Sequence, residues 1–184
     1  MGELDNHYKN LLPYIPRTIC DWYSRSTADE VHKLSEHHGI IVCIDASGFT
    51  ALTRQLSRSG DEGPEILTRV LNLFFDAVAG VVFKFGGDVL KFAGDALWAF
   101  FRDDLDIGGF FHCALTALES VNSAPELIDR TRLKIHIGAE SGSFFLASLG
   151  DPRVRLEAEP IGNILGKVYQ ACDIAGENEF VIGP

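Results

Sequence analysis

Two aspartates that end apolar runs beside glycine constrain this chain more than any other feature. Asp45 follows the apolar run 40–44 and stands three residues before Gly48, while Asp95 follows Gly94 directly. A carboxylate at the mouth of a buried strand loses hydration, and two such carboxylates brought together repel each other unless a cation lies between them. The pattern therefore predicts oxygen ligands for Mg²⁺, as in sites that handle nucleotide phosphates.

The residues after Asp45 predict a turn that binds phosphate. The segment Ser47, Gly48, Phe49 and Thr50 leads into 51–56, where apolar residues recur at helical spacing. A strand, a small-residue turn and a helix start expose backbone N–H groups and the positive end of a helix dipole to an anion. The glycine patterns of P-loop and dinucleotide-binding folds do not occur, which argues against both fold classes.

A β-hairpin is predicted around Asp95. Gly94 and Asp95 separate the apolar runs 89–93 and 96–101, and Gly-Asp between such runs is a hairpin signal. A second interpretation stays open, in which Asp88 and Asp95 are ordinary turn residues that bond their own backbone.

These segments resemble a known family, the class III nucleotidyl cyclases, and within it the soluble adenylyl cyclase-like branch. Residues 45–50, Asp-Ala-Ser-Gly-Phe-Thr, are similar to that branch's Asp-Ile-Ser-Gly-Phe-Thr motif, and residues 85–97 resemble its hairpin almost residue for residue. The resemblance runs from about Gly39 to the end of the chain. It implies the class III cyclase fold and an enzyme that makes a cyclic nucleotide.

The resemblance also implies the parts of a catalytic site. Asp45 and Asp95 are the expected catalytic residues, and with the carbonyl of Ala46 they would hold two Mg²⁺ or Mn²⁺ ions. The substrate would be ATP, converted to 3′,5′-cyclic AMP and pyrophosphate, with the turn 47–50 against its phosphates. Two metals clamp the attacking and leaving oxygens of such an in-line displacement, so the carboxylates serve as ligands.

Lys91 and Glu159 are the expected base-recognition or regulatory pocket. In the family a lysine at the first place goes with adenine, and Glu159 falls at the second base-recognition place. Alternation along a strand predicts that Lys91 shares a sheet face with Val89 and Ala93. A lysine that covers apolar surface on an edge strand is the alternative interpretation.

The segment 159–170 departs from the family pattern. Gly166 stands where the family has an asparagine that orients the ribose, and Gln170 where it has a transition-state arginine. Since family sites form between two domains, the resemblance implies the metal-binding half of a dimer or pseudo-heterodimer, with a second cyclase domain in the same or another chain. The second pocket of such a pair can be regulatory, including for bicarbonate.

Two further function classes stay open. One is a non-catalytic regulatory cyclase homology domain that senses a ligand or bicarbonate, or binds a partner. The other is a diguanylate cyclase, suggested by Gly86, Gly87 and Asp88, although Val89 and Leu90 replace the Glu-Phe that its signature requires.

Composition excludes several other classes. The 184 residues fit one domain, and a net charge of −10 with a pI near 4.9 argues against a nucleic-acid-binding surface. No apolar run approaches the length of a membrane span, so no membrane partner is expected. Four scattered cysteines and the absence of a signal-peptide pattern at the N-terminus predict reduced thiols and a cytoplasmic protein.

The predicted organisation is an N-terminal arm over 1–36, with a short helix after Pro16, followed by a cyclase homology domain over 37–184. Long helices are expected over 64–85 and 108–121, and a strand at 133–137 is expected to end in a glycine turn before Phe144. The order predicts an α/β (α+β) fold with a ferredoxin-like mixed sheet and helices on one face. The final strand at 180–182 suggests a chain that continues into a second domain.

Overall fold

The computed structural model describes residues 15–25, 34–57, 62–102, 104–125, 127, 132–151 and 154–183. Its elements follow the predicted order. They are α1 (Arg17–Arg25), β1 (Leu34–Ser47), α2 (Phe49–Leu56), α3 (Gly63–Lys84), β2 (Asp88–Ala93), β3 (Ala96–Phe101), α4 (Ile107–Asn122), β4 (Lys134–Asp151), β5 (Arg155–Ile161), α5 (Asn163–Ile174) and β6 (Glu179–Ile182).

The strands form one mixed sheet with the order β2-β3-β1-β4-β5, and β6 pairs with β4 as its parallel neighbour. Strand β1 pairs antiparallel with β4 over its whole length and with β3 over residues 40–45. The end of β1 therefore lies between the hairpin and β4. The predicted mixed sheet is confirmed.

Strand β4 is one continuous strand of 18 residues, so the predicted glycine turn after Ile137 is wrong. Gly138 serves close packing instead, because a Cβ there would collide with the backbone of α5 at Val168 and Cys172. The glycine that suggested a turn in the sequence instead allows a helix to approach the sheet closely.

Helices cover both faces of the sheet, whereas one covered face was predicted. Helices α2, α3 and α4 bury apolar side chains against one face, and α1 and α5 bury theirs against the other. The first core includes Val42, Ile44, Leu52, Phe74, Val78, Leu97, Phe110 and Leu118, and the second includes Ile19, Ile41, Cys43, Phe100, Phe144, Ile164, Val168 and Cys172.

Local signals account for the two long helices. Pro64 lies in the first turn of α3 and Lys84 in its last, as helix ends favour. The carboxylate of Asp106 caps α4 by accepting a hydrogen bond from the backbone N–H of Gly109 at 3.0 Å. Helix α3 is also long and apolar enough to cross a bilayer by length and composition alone. Val70 and Phe74 on it are buried in the core, whereas Leu73 and Phe83 are exposed.

The predicted helix after Pro16 is present as α1, and it is held by the hairpin. The backbone N–H groups of Arg17 and Thr18 donate to the carboxylate of Asp88 at 3.1 and 2.7 Å. Asp88 is therefore not a turn residue that bonds its own backbone: it begins β2 and caps a helix 70 residues earlier in the chain. Residues 1–14 and 26–33 of the predicted arm lie outside the described residues, and β1 begins at Leu34, just before the predicted boundary.

Candidate active site

A cleft of about 550 Å³ opens on the α5 face of the sheet. Its walls come from the ends of β1 and β5, from the β2–β3 hairpin and from α5. Both predicted catalytic aspartates line it, together with the predicted base-reading lysine. The lining residues that matter below are Asp45, Lys91, Asp95, Trp98, Tyr169 and Cys172.

Strand register brings the two aspartates to this cleft. Asp45 pairs with Ala96, the residue that follows Asp95 in the hairpin. The hairpin turns over two residues, and of these only Gly94 has a positive φ, at 67°, the sign pattern of a type II′ turn. Asp95 thus projects from the turn beside the end of β1. The aspartates differ in environment, since Asp45 is half-buried and Asp95 is exposed.

Electrostatics make this pair a suitable place for a cation. Burial raises the pKa of Asp45 above its ordinary value, and the charge of Asp95 raises it further, against smaller lowering effects of His136 and of the backbone N–H of Ala46. A divalent cation between the carboxylates would remove both penalties. No cluster of three or more His, Cys, Asp or Glu side chains suited to a metal occurs among the described residues. A metal here would therefore need the carbonyl of Ala46 and ligand oxygens as well.

The predicted phosphate turn joins β1 to α2. Gly48 has a φ of 105°, and a Cβ there would lie 2.9 Å from the carbonyl oxygen of Arg132, so both conformation and space require glycine. Phe49 is buried and packs against Phe74, with ring centroids 5.6 Å apart. Phe49 can therefore offer only backbone to an anion. None of residues 47–50 lines the cleft itself; they follow directly from Asp45, which does.

His136 is a site residue that the sequence indicated only as part of the predicted strand at 133–137. It lies opposite Asp45 in the β1–β4 register, and its Nδ1–H donates to the carbonyl oxygen of Ala175 at 2.8 Å. Its Nε2 lies 3.1 Å from Oγ of Ser47. The imidazole therefore ties the turn after Asp45 to the C-terminal end of α5. Alternation in β4 identified His136 as a strand residue, but nothing local indicated either partner.

Lys91 and Glu159, the residues expected in one pocket, form an ion pair with Nζ and Oε2 2.6 Å apart. The predicted face of Lys91 is wrong in part. A β-bulge shifts the register between Val89 and Lys91, so Val89 pairs with Ala99 on one face and Lys91 pairs with Trp98 on the other. The bulge turns Lys91 into the cleft, which simple alternation with Val89 would not have done.

The two departures from the family pattern lie together on α5. Gly166 and Gln170 are both exposed, four residues apart on one face of the helix. A Cβ at Gly166 would meet no atom within 4 Å, so the position has room for a side chain. Gly166 lacks the amide expected at its position, and Gln170 lacks the guanidinium expected at its position.

Two buried cysteines, Cys43 and Cys172, meet at the floor of the cleft. The thiol of Cys43 donates to the sulfur of Cys172, which raises the pKa of Cys43 and lowers that of Cys172. Cys43 shares the cleft face of β1 with Asp45, and Cys172 lies on α5. Their contact is non-local, so spacing in the sequence did not indicate it.

Comparison with known proteins shows that the chain belongs to the family of adenylyl cyclases. No protein-family model matches the chain. Over 153 residues, 79% of this chain and 9% of the relative, it is 33% identical to adenylate cyclase type 10 of Rattus norvegicus. The chain thus spans under a tenth of the curated relatives it matches.

Solved structures of low sequence identity show the same fold. The guanylyl cyclase Cya2 superposes with a TM-score of 0.62 and 22% identity, over 80% of this chain and 75% of that one. A class III adenylyl cyclase-like ATP-binding protein from Pseudomonas aeruginosa gives a TM-score of 0.66 and 19% identity, over 82% of this chain and 34% of that one.

Proposed function

The chain is a cyclase homology domain with the class III fold, and we propose that it supplies the metal-binding half of an adenylyl cyclase site. The reaction would convert ATP to 3′,5′-cyclic AMP and pyrophosphate. The observation that carries the proposal is the convergence of Asp45, Asp95 and Lys91 on one cleft. Both motifs thus contribute to the same concave surface, as a nucleotide site requires.

The chemistry assigns a role to each of these residues. The 3′-hydroxyl of the ribose would lose its proton to solvent as its oxygen forms a bond to the α-phosphorus, and the bond from that phosphorus to the leaving pyrophosphate would break. Two Mg²⁺ or Mn²⁺ ions would supply charge to the attacking and leaving oxygens. Asp45 and Asp95 would hold that charge in place, and the backbone of the turn 47–50 and the start of α2 would orient the phosphates.

Lys91 and Glu159 would bind the base or a regulator. A lysine and a carboxylate present one donor group and one acceptor group, which suits the edge of adenine with its ring nitrogen and amino group. The likeness to a guanylyl cyclase fold makes GTP the substrate to compare with ATP.

The site would be completed by a second domain. Gly166 has no side chain to orient the ribose, and Gln170 has a neutral amide where the reaction needs a fixed positive charge on the partner side. Preorganised positive charge near the developing negative charge is typically worth several kcal/mol of barrier. We therefore propose that full activity needs a cyclase domain that carries both groups.

A second candidate function is nucleotide binding without turnover. The exposed Gly166 and Gln170 favour it, because they remove catalytic groups while the cleft, the aspartates and the Lys91–Glu159 pair remain. A likeness in fold to an ATP-binding protein described as adenylyl cyclase-like is compatible with it. Such a domain would bind its ligand and regulate a partner.

Complementation tests the two candidates. The unaltered chain is mixed with a variant that carries four substitutions. In this variant, Gly166→Asn and Gln170→Arg supply the partner-side groups, and Asp45→Ala and Asp95→Ala remove the metal ligands. Cyclic AMP and cyclic GMP are measured for each protein alone and for the mixture, with Mg²⁺ or Mn²⁺ and with ATP or GTP.

Cyclic nucleotide formed by the mixture, but by neither protein on its own, supports the half-site proposal. Tight nucleotide binding without product in any mixture supports the regulatory candidate. Full activity of the unaltered chain by itself contradicts the half-site assignment.

A further inference from the structure

We propose that Cys43 and Cys172 are a redox modification site, at which hydrogen peroxide joins them in a reversible disulfide at the floor of the cleft. The bond would link β1, two residues before Asp45, to α5. The inference concerns the two thiols alone and does not depend on cyclase activity.

Close packing of α5 on the sheet brings the two residues together. Cys43 pairs with Gly138 in the β1–β4 register. Gly138 has no side chain, and a Cβ there would collide with the backbone of Cys172. Cys172 therefore lies directly over the strand pair to which Cys43 belongs. A substitution that added bulk at Gly138 would separate the two cysteines.

The contacts of the sulfur place it beside both strands. Sγ of Cys172 lies 3.3 Å from the carbonyl oxygen of His136 and 3.7 Å from that of Cys43. The second of these contacts places the sulfur of Cys172 against the backbone of Cys43 itself. A disulfide needs a sulfur–sulfur distance of about 2.05 Å. A small movement of α5 towards β1, or a change of rotamer, would supply the remaining approach.

The pair is also reachable by a small oxidant. Both cysteines are buried, with 3% and 6% of their surfaces exposed, yet both line the open cleft. The other two cysteines lie elsewhere: Cys20 is on α1, and Cys113 is on α4 beside Nζ of Lys84 at 3.3 Å. Peroxide can therefore reach Cys43 and Cys172 through the same opening that a nucleotide would use.

The chemistry balances with one peroxide for two thiols. The sulfur of Cys172 attacks one peroxide oxygen, the O–O bond breaks, and the departing hydroxide takes the thiol proton to form water. The sulfur of Cys43 then attacks the resulting sulfenic acid. The S–S bond forms as the S–O bond breaks, and the second hydroxide leaves as water with the proton of Cys43. Both sulfurs are oxidised by one electron each, and the peroxide is reduced by two.

The experiment treats the unaltered chain with a slight molar excess of hydrogen peroxide. Remaining thiols are then blocked with N-ethylmaleimide, and the protein is digested without reductant and analysed by mass spectrometry. We expect a linked peptide pair that contains Cys43 and Cys172, a fall in free thiols from four to two, and full recovery of the thiols with dithiothreitol.

Two variants serve as controls. The double variant Cys20→Ser, Cys113→Ser should form the same linked pair and lose all its free thiols. The variant Gly138→Ala should keep its thiols free, and circular dichroism reports whether it still folds. If peroxide oxidises only Cys20 or Cys113 of the folded, unaltered chain, or converts Cys172 to an unlinked sulfinic acid, the proposal is overturned.

Discussion

Nζ of Lys91 lies 2.6 Å from Oε2 of Glu159, and this ion pair joins β2 to β5, the two strands at opposite ends of the sheet order. The pair therefore spans the strand that carries Asp45. It links the hairpin of Asp95 to the segment that leads into α5. One contact thus connects the predicted base-recognition residues across the cleft.

We expect Lys91→Met and Glu159→Gln each to weaken ATP binding by about 10-fold or more. A hydrogen bond to a charged group is worth about 1.5–3 kcal/mol. Folding should change little, because side chains this exposed form pairs worth about 0.2–1 kcal/mol. Fluorescent nucleotide titration measures binding, and thermal unfolding measures stability.

Arg69→Met is the matched control for this prediction. Arg69 pairs with Glu65 on the exposed surface of α3 at 2.8 Å, away from the cleft lining. Its loss should leave ATP affinity unchanged. If all three variants bind ATP as tightly as the unaltered protein does, Lys91 and Glu159 are not part of the nucleotide site.

Asp45→Asn should stabilise the metal-free protein near neutral pH. Because burial and Asp95 raise the pKa of Asp45 above its ordinary value of 3.8, the folded state holds its proton more tightly than the unfolded state. The free energy of unfolding therefore falls as the pH rises from this value through the raised pKa. The Asp45→Asn variant does not lose this stability, because asparagine does not ionise.

Urea unfolding in EDTA at about pH 4 and about pH 7 checks this expectation. The advantage of the variant should be larger at the higher pH. Asp76→Asn, on the exposed surface of α3, should give no such pH-dependent advantage. A variant less stable than the unaltered protein near neutrality would show that Asp45 is not under electrostatic penalty.

The features of the fold and site that could be predicted from the sequence are those with a local sequence signal. Gly94-Asp95 between apolar runs gave the hairpin, and apolar spacing gave α3 nearly to the residue. Asp45 and Asp95 were expected together because each ends an apolar run. Their common cleft follows from a register that one β-strand pair sets. The metal roles themselves remain predictions.

Non-local features escaped sequence reasoning. The bulge at Leu90 places Val89 and Lys91 on different faces, and alternation alone cannot indicate an extra residue. Gly138 was interpreted as a turn residue because the helix that packs against it, α5, comes about 30 residues later in the sequence and gives no local signal there. The partners of His136 and Cys43 likewise depend on how α5 packs, which periodicity does not specify.

His136→Leu should weaken both the fold and the site. The change leaves the carbonyl of buried Ala175 and the Ser47 hydroxyl without their imidazole partner, which costs about 1–3 kcal/mol of unfolding free energy. His136→Asn keeps a donor near the Nδ1 position and should recover part of that loss. Urea unfolding provides the measurement, and exposed His112→Leu is the control.

The position of Ser47 gives His136→Leu a second readout. If His136 orients the turn after Asp45 through Ser47, the leucine and the asparagine variants should both bind MnATP more weakly than the unaltered protein at equal folded fraction, because neither side chain reaches Ser47 from the Nε2 position. Identical nucleotide affinities would limit His136 to a role in stability.

Asp88→Ala should release α1 from the hairpin. The carboxylate accepts two backbone N–H bonds from Arg17 and Thr18, and loss of such bonds costs about 1–3 kcal/mol. Hydrogen exchange of the α1 amides should rise while that of α3 stays unchanged. Unchanged protection of α1 would mean that apolar contacts of Ile19 hold it without the cap.

The central claim is that Asp45 and Asp95 share divalent ions beside a nucleotide. Electron paramagnetic resonance of Mn²⁺, titrated with a non-hydrolysable ATP analogue, tests it most directly because it needs no partner domain. We predict two Mn²⁺ ions per complex for the unaltered chain. Asp45→Ala and Asp95→Ala should each lose binding, whereas Asp173→Ala, in the same cleft, should retain it. Unchanged Mn²⁺ binding by both aspartate variants would contradict the account.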